Sequence, residues 1–281
     1  MNTLTSVPTP RAAVEPPARF GDLIASEWIK LRSLRSTWWT IALGALFAIG
    51  SAAVAGLADY RNLAGSATHG QQPPDFLPFD AFPPSGYMTL MLVAGSAGAI
   101  SVVSEYSSGL IRTTTVAVPA RGSVVLAKAT VTAALWTAVG TAVSFASFFV
   151  VQAILNGRHA GVGLTHPGVP RALVASVLVT PICALIGLGL GVLIRHSAAT
   201  IAVCAFTLLM LPTVFSARRR WSADIQHAMV LTAWRRLIQN WQPQPGSLML
   251  SATVPGSWVV YALWPLIAVA LAVLVVRRRD V

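Results

Sequence analysis

The chain has 281 residues, 55% hydrophobic and only 10% charged, where a water-soluble domain carries roughly 25% charged residues. That excludes a chain whose surface is covered by water alone. The formal net charge of +11 comes from basic residues set in short clusters between apolar stretches; this layout orients a chain in a membrane and lacks the continuous basic face that nucleic-acid binding requires.

Residues 1–18 are polar and rich in proline (Pro8, Pro10, Pro16, Pro17), which predicts a disordered tail without a cleavable signal peptide. Residues 19–35 follow as an amphipathic helix. Phe20, Leu23, Ile24, Trp28, Leu31 and Leu34 recur at three- and four-residue spacing, with Asp22, Glu27, Lys30 and Arg32 between them. Such a helix lies in the membrane interface or docks a partner.

Six uncharged stretches then reach, or nearly reach, the roughly 20 residues that cross a hydrocarbon core. They are Trp38–Ala58, Tyr87–Ser104, Ala129–Leu155, Ala172–Ile194, Ser197–Ala217 and Ser257–Val276. The predicted fold class is therefore an all-α integral membrane protein of six transmembrane helices with an N-terminal amphipathic interfacial helix. With the N-terminus inside, the inner segments carry twelve Lys and Arg, and the outer segments before the last carry three, Arg61, Arg158 and Arg171. Both ends are then expected in the cytoplasm. The last outer segment breaks the pattern, with Arg218, Arg219, Arg220, Arg235 and Arg236.

Between the second and third stretches runs Glu105-Tyr106-Ser107-Ser108-Gly109-Leu110-Ile111-Arg112, then Pro119, Arg121 and Lys128. One reading is a polar loop whose cations set topology; the other is a short cytoplasmic helix inserted into a groove of another protein. The segment 218–256 holds Trp221, Trp234 and Trp241 among aliphatics and arginines, a mix suited to short helices at the outer interface. Gly187 and Gly191 form a GxxxG pair, read as helix packing. Cys183 and Cys204 fall in apolar stretches and read as free thiols, with no metal-ligand spacing.

The missing motifs narrow the function. No GxxxxGK[ST] loop exists and the chain has two lysines, Lys30 and Lys128, so a P-loop nucleotide site is not expected on it. HExxH is absent, and no apolar stretch carries a histidine to serve as a base. The six stretches hold no ionisable residue of the sort proton-coupled carriers keep in the bilayer. Uphill transport would need energy from a separate subunit.

The whole pattern resembles the membrane subunit of an ABC-2-type transporter, a bacterial exporter permease. Ser26-Glu27-Trp28-Ile29-Lys30-Leu31-Arg32-Ser33-Leu34-Arg35 leading into Trp38-Trp39 is similar to that family's lead-in helix. Glu105-Tyr106-Ser107-Ser108-Gly109 with Arg112, Pro119, Arg121 and Lys128 resembles its first cytoplasmic loop, although Leu110 stands where threonine is frequent. Arg277-Arg278-Arg279-Asp280 resembles its closing cluster. The resemblance implies a six-span permease domain over 19–281, paired with a second permease copy as a homo- or heterodimer in the bacterial plasma membrane and served by a separate ABC-type ATPase that carries ATP and Mg. This chain itself would be no enzyme and hold no cofactor. It also implies a coupling segment at 105–128 and a partly re-entrant outer loop at 218–256. Glu105, Tyr106, Gly109, Arg112, Pro119, Arg121 and Lys128 are then the candidate ATPase contacts, with Glu27, Arg32 and Arg35 behind them. The abundance of arginine over lysine (18 to 2) hints at a GC-rich bacterial genome. A membrane scaffold without transport and an ATP-independent channel are the competing readings.

Overall fold

A computed structural model describes residues 19–33, 35–68, 81–109, 121–215, 219–240, 248 and 251–278. The expected tail at 1–18, Leu34, Arg112, Pro119, Trp241 and the closing Arg279 and Asp280 lie outside the described residues. What is described is all-helical, with no strand.

Among the described residues, six helices are long and apolar enough to cross a membrane. After a first helix α1 (Phe20–Ser33) come α2 (Arg35–Thr68), α3 (Pro84–Ser107), α4 (Arg121–Asn156) and α5 (Val169–Ile194). The fifth span, α6 (Ser197–Val214), is followed by two short helices, α7 (Arg220–His227) and α8 (Val230–Ile238), and by the last span, α9 (Val254–Arg278). Every predicted stretch falls within one of these spans, save the last residues of the fifth. The helices run further than the apolar stretches do. Of the segment 105–128, Glu105–Ser107 closes α3 and Arg121–Lys128 opens α4, so both ends are continuations of spans, and 110–120 lies outside the described residues.

α3 and α5 form the centre of the bundle. α5 packs against α3, α4 and α9; α2 bridges α3 and α4; α6 lies on α3 and α5. The centre closes because small residues face each other. A Cβ built on Gly187 would sit 1.8 Å from the Gly95 carbonyl oxygen, and one on Gly98 would sit 1.9 Å from that of Ala184. The GxxxG pair thus packs α5 backbone against α3 backbone, the close approach small residues permit. α2, α6 and α9 turn large apolar side chains outward, among them Leu46, Phe47, Phe206, Leu266 and Ile267, as lipid-facing helices do.

α6 contains a π-helical turn, Phe206–Met210, in which the Leu211 amide donates to the Phe206 carbonyl. Pro212 follows at once. Proline cannot donate to the carbonyl four residues back and its ring crowds that carbonyl, so the helix widens just before it. Cys183 and Cys204 are buried free thiols.

At the end of the bundle where α3, α5 and α9 begin, α8 is inserted among α5, α9 and the π turn. Trp234 is fully buried. Its ring stacks on Tyr87 at 5.3 Å, and its indole N–H donates to Ser176 Oγ at 3.2 Å. Tyr87 in turn donates to Ser144 Oγ at 3.0 Å. The expectation of helices lying along a surface fits the exposed Trp221 but not α8, where Trp234, Leu237 and Ile238 are core residues. The neighbouring arginines make this possible by binding backbone: Arg236 Nε donates to the Ala252 carbonyl at 2.6 Å. Arg171 of α5 donates to the Leu237 carbonyl at 2.9 Å and to that of Gln239, satisfying the open C-terminus of α8.

Candidate functional site

At the opposite end, three helices meet around four charges. α1 lies against α4 with Leu23 and Glu27 turned inward. Phe20 and Trp28, predicted to share one stripe with Leu23, are 46% and 41% exposed. The helix therefore shows one face to the bundle and a second apolar face outward. Glu27 and Lys30 sit one turn apart on the inward side, Glu105 stands on the last turns of α3, and Lys128 stands two turns into α4.

Each ammonium bridges both carboxylates. Lys30 Nζ is 2.6 Å from Glu27 Oε1 and 2.8 Å from Glu105 Oε1. Lys128 Nζ is 3.0 Å from Glu105 Oε1 and also bonds Glu27 Oε2. Glu27 is 2% exposed, Lys128 7% and Glu105 8%; Lys30 is half-buried. Two positive and two negative charges leave the cluster neutral, which is the condition for keeping such groups out of water. Burial pulls the Lys30 pKa down, but its hydrogen bonds to Glu105 and Glu27 and the charge of both carboxylates outweigh it, so the value is raised above that of an ordinary lysine. The two lysines of the cluster are the only two in the chain. A compact ammonium with three donors can bridge two carboxylates at once, where the flat fork of arginine favours one.

Among the other predicted residues, Tyr106 lies beneath Arg195, whose guanidinium sits 4.7 Å from the ring centroid. Arg195 holds a left-handed backbone, φ 59°, where it caps α5. Gly109 has φ 72° directly after α3, a turn that glycine adopts without strain. Arg121 opens α4 and, with Tyr106, Glu105 and Lys128, lines a cavity whose remaining wall is apolar, including Leu188 and Val276. Arg32 and Arg35 are exposed.

The structure thus brings Glu27, Glu105 and Lys128 together and turns them toward each other, while Arg32 and Arg35 face outward. Sequence reasoning missed Lys30 as a member of the site and read it as part of the polar side of the lead-in helix. Its scarcity was the available signal: in a chain with 18 arginines, both lysines go to one place. What the cluster does physically is to tie α1 to the ends of two spans through a buried charge network, so that displacement of one element strains the others.

A model of the family described as ABC-2 family transporter protein matches residues 23–211. The matched stretch includes all four charged residues of the cluster. No curated protein matches the chain.

Proposed function

The chain belongs to the ABC-2 family of transporter proteins, and on that premise we propose that it is the permease subunit of an exporter, driven by a separate ATPase. It is a multi-pass membrane transport component, and permeases of this family generally work with an ATPase subunit. The finer reading is that two permease copies pair, in a bacterial plasma membrane, and that the end carrying the Glu27–Lys30–Glu105–Lys128 cluster faces the cytoplasm and the ATPases. The positive flanks at that end support this orientation, since Arg32, Arg35, Arg121, Arg195, Arg277 and Arg278 gather there.

The single observation that carries the mechanism is the buried charge network. Residues 110–120 join the two spans it ties together. Movement of that connection by the ATPases reaches α3 and α4 at Glu105 and Lys128, and reaches α1 through Glu27. In this reading Glu27, Lys30, Glu105 and Lys128 transmit, whereas Arg112, Pro119, Arg121, Arg32 and Arg35 make contact. Nucleotide state and helix arrangement then bias each other, as linkage requires. ATP and Mg act on the partner, and this chain performs no catalysis.

Charge reversal tests the contact. Arg112→Glu and Arg121→Glu are each expected to lower the stimulation of ATP hydrolysis by the permease roughly tenfold, the scale of a reversed interfacial charge. Membrane insertion and elution as a single species should stay unchanged. Full stimulation in both variants would remove the coupling segment from the mechanism.

A further inference from the structure

Two residues, Arg195 and His196, join α5 to α6, and both are held by the helices they connect. The Arg195 amide donates to the Gly191 carbonyl at 3.0 Å. The His196 carbonyl accepts from the Thr200 amide at 2.9 Å and from Thr200 Oγ1 at 2.7 Å, and His196 Nδ1 accepts from the Ala199 amide at 3.3 Å. A joint this short and this fully capped has no slack. Displacing Arg195 carries the start of α6 with it.

On local grounds arginine is a poor residue for the joint. Arg195 is one of two non-glycine residues with positive φ among the described residues, at 59°. Glycine is the usual residue at a left-handed helix cap, because a Cβ is crowded there. Arg195 Nε and Nη2 are also buried with no hydrogen-bond partner, a further cost. What arginine gains, and glycine would not, is the ring of Tyr106, whose centroid lies 4.7 Å from the guanidinium, a cation–π contact. Strain of this kind gathers at clamps and switch regions, where the surrounding structure holds it.

The contact links two particular places. Tyr106 stands in the last turn of α3, beside Glu105 of the ion cluster and just before residues 110–120. Arg195 stands at the α5–α6 joint. The bonds of the ion cluster join α1, α3 and α4, and none of them reaches α6. α6 itself packs on α3 and α5 and keeps little of its surface in the core. It is therefore freer to move than α5, whose backbone is set against α3 at Gly187.

We propose that Tyr106 and Arg195 form a second transmission path, which carries movement of residues 110–120 to the α5–α6 joint and so to α6. The ion cluster serves α1 and α4; the Tyr106–Arg195 pair serves the fifth span. Both are positioning residues, acting through the joint. The inference rests on the reading of the chain as an ATPase-driven permease.

The permease is purified with its copurifying ATPase and reconstituted in lipid vesicles. Stimulation of ATP hydrolysis is measured. A nitroxide is attached at Ala199→Cys on α6 or, as reference, at Leu126→Cys on α4; both positions are exposed, whereas Cys183 and Cys204 are buried. Its mobility is read by EPR without nucleotide and with ATP and vanadate. With Arg195 in place, both labels should respond to trapping. Arg195→Gly relieves the left-handed strain, so the melting midpoint should not fall. It should lower stimulation roughly fivefold, the low end of coupling between sites, and abolish the response at position 199 while that at 126 persists. Arg195→Lys keeps a cation over the ring and should recover most of both. Adding Tyr106→Leu to Arg195→Gly should cost nothing more, because the two act as a pair. A response at position 199 undiminished by Arg195→Gly overturns the proposal. So does a lower melting midpoint with full stimulation, since the contact is then structural alone. If the complex with Arg195 shows no stimulation and no response at 126, the ATPase-driven reading falls and this inference with it; a response at 126 tells the two failures apart.

Discussion

Replacing Lys128 with methionine is expected to be the most damaging single change at the end of the bundle that carries the ion cluster, costing roughly 3–5 kcal/mol of stability, the scale on which a broken buried ion pair destabilises. The reason is charge balance. Lys128 is 7% exposed and bridges Glu27 and Glu105, themselves 2% and 8% exposed. Without it, two buried carboxylates share one ammonium. Lys30→Met removes the same charge from the same network, but the Lys30 side chain is 35% exposed and water can replace much of what is lost. That variant should cost about 1 kcal/mol or less. The double change Lys128→Met with Glu105→Gln leaves Lys30 facing Glu27 alone and should recover most of the loss. Thermal melting of the purified chain in detergent, with all three variants side by side, reads the difference. Equal midpoints for Lys128→Met and Lys30→Met would show that burial does not set the strength of the network.

The second large effect belongs to the centre of the bundle. Gly187→Val is expected to destabilise by about 3 kcal/mol, the upper part of the range for overpacking. The atom that a Cβ would meet at 1.8 Å is the Gly95 carbonyl oxygen, a backbone atom that cannot rotate away. Relief requires α3 and α5 to separate, which opens the contacts that their other residues make. Gly98→Val should behave alike, because its Cβ meets the Ala184 carbonyl oxygen at 1.9 Å. Gly50→Ala is the control: nothing lies within 4 Å of a Cβ there, and alanine favours a helix by roughly 0.8–1.0 kcal/mol over glycine. The yield of monodisperse protein and its melting midpoint separate these cases. A Gly187→Val chain as stable as wild type would mean that α3 and α5 do not touch backbone to backbone.

The spans were legible because lipid leaves little choice. A crossing helix must be apolar for about 20 residues, and Ala172–Ile194 states that without ambiguity. Where the helices end was less legible. Arg121 to Lys128 reads as loop by its charge, yet α4 begins there, because a helix can continue as a polar segment once its partners satisfy it. The ion cluster was half-visible for a related reason. A carboxylate closing one apolar stretch and a lysine opening the next marked Glu105 and Lys128 as special. That they would face Glu27 and Lys30 depends on α1 lying across α4, which no periodicity in residues 19–35 specifies. Those residues carry two apolar faces, one around Leu23 and one around Phe20 and Trp28, and the sequence does not say which one packs. The same limit applies to Trp234. A tryptophan beside two arginines suits a membrane surface, and only the packing of Tyr87 and Ser176 against it shows that α8 is inserted in the bundle.

The central claim is that this permease is driven by an ATPase on another chain, and ATP hydrolysis by the intact complex tests it most directly. The full chain is affinity-purified in mild detergent from the membranes of the cell that makes it, and its copurifying proteins are identified. The preparation is reconstituted in lipid vesicles, and hydrolysis is measured with and without the permease. The account predicts a P-loop ATPase in stoichiometric amount, hydrolysing ATP faster with the permease than alone. A chain that purifies alone and leaves ATP untouched, yet passes solutes or merely binds other membrane proteins, would contradict it and restore the channel or the scaffold.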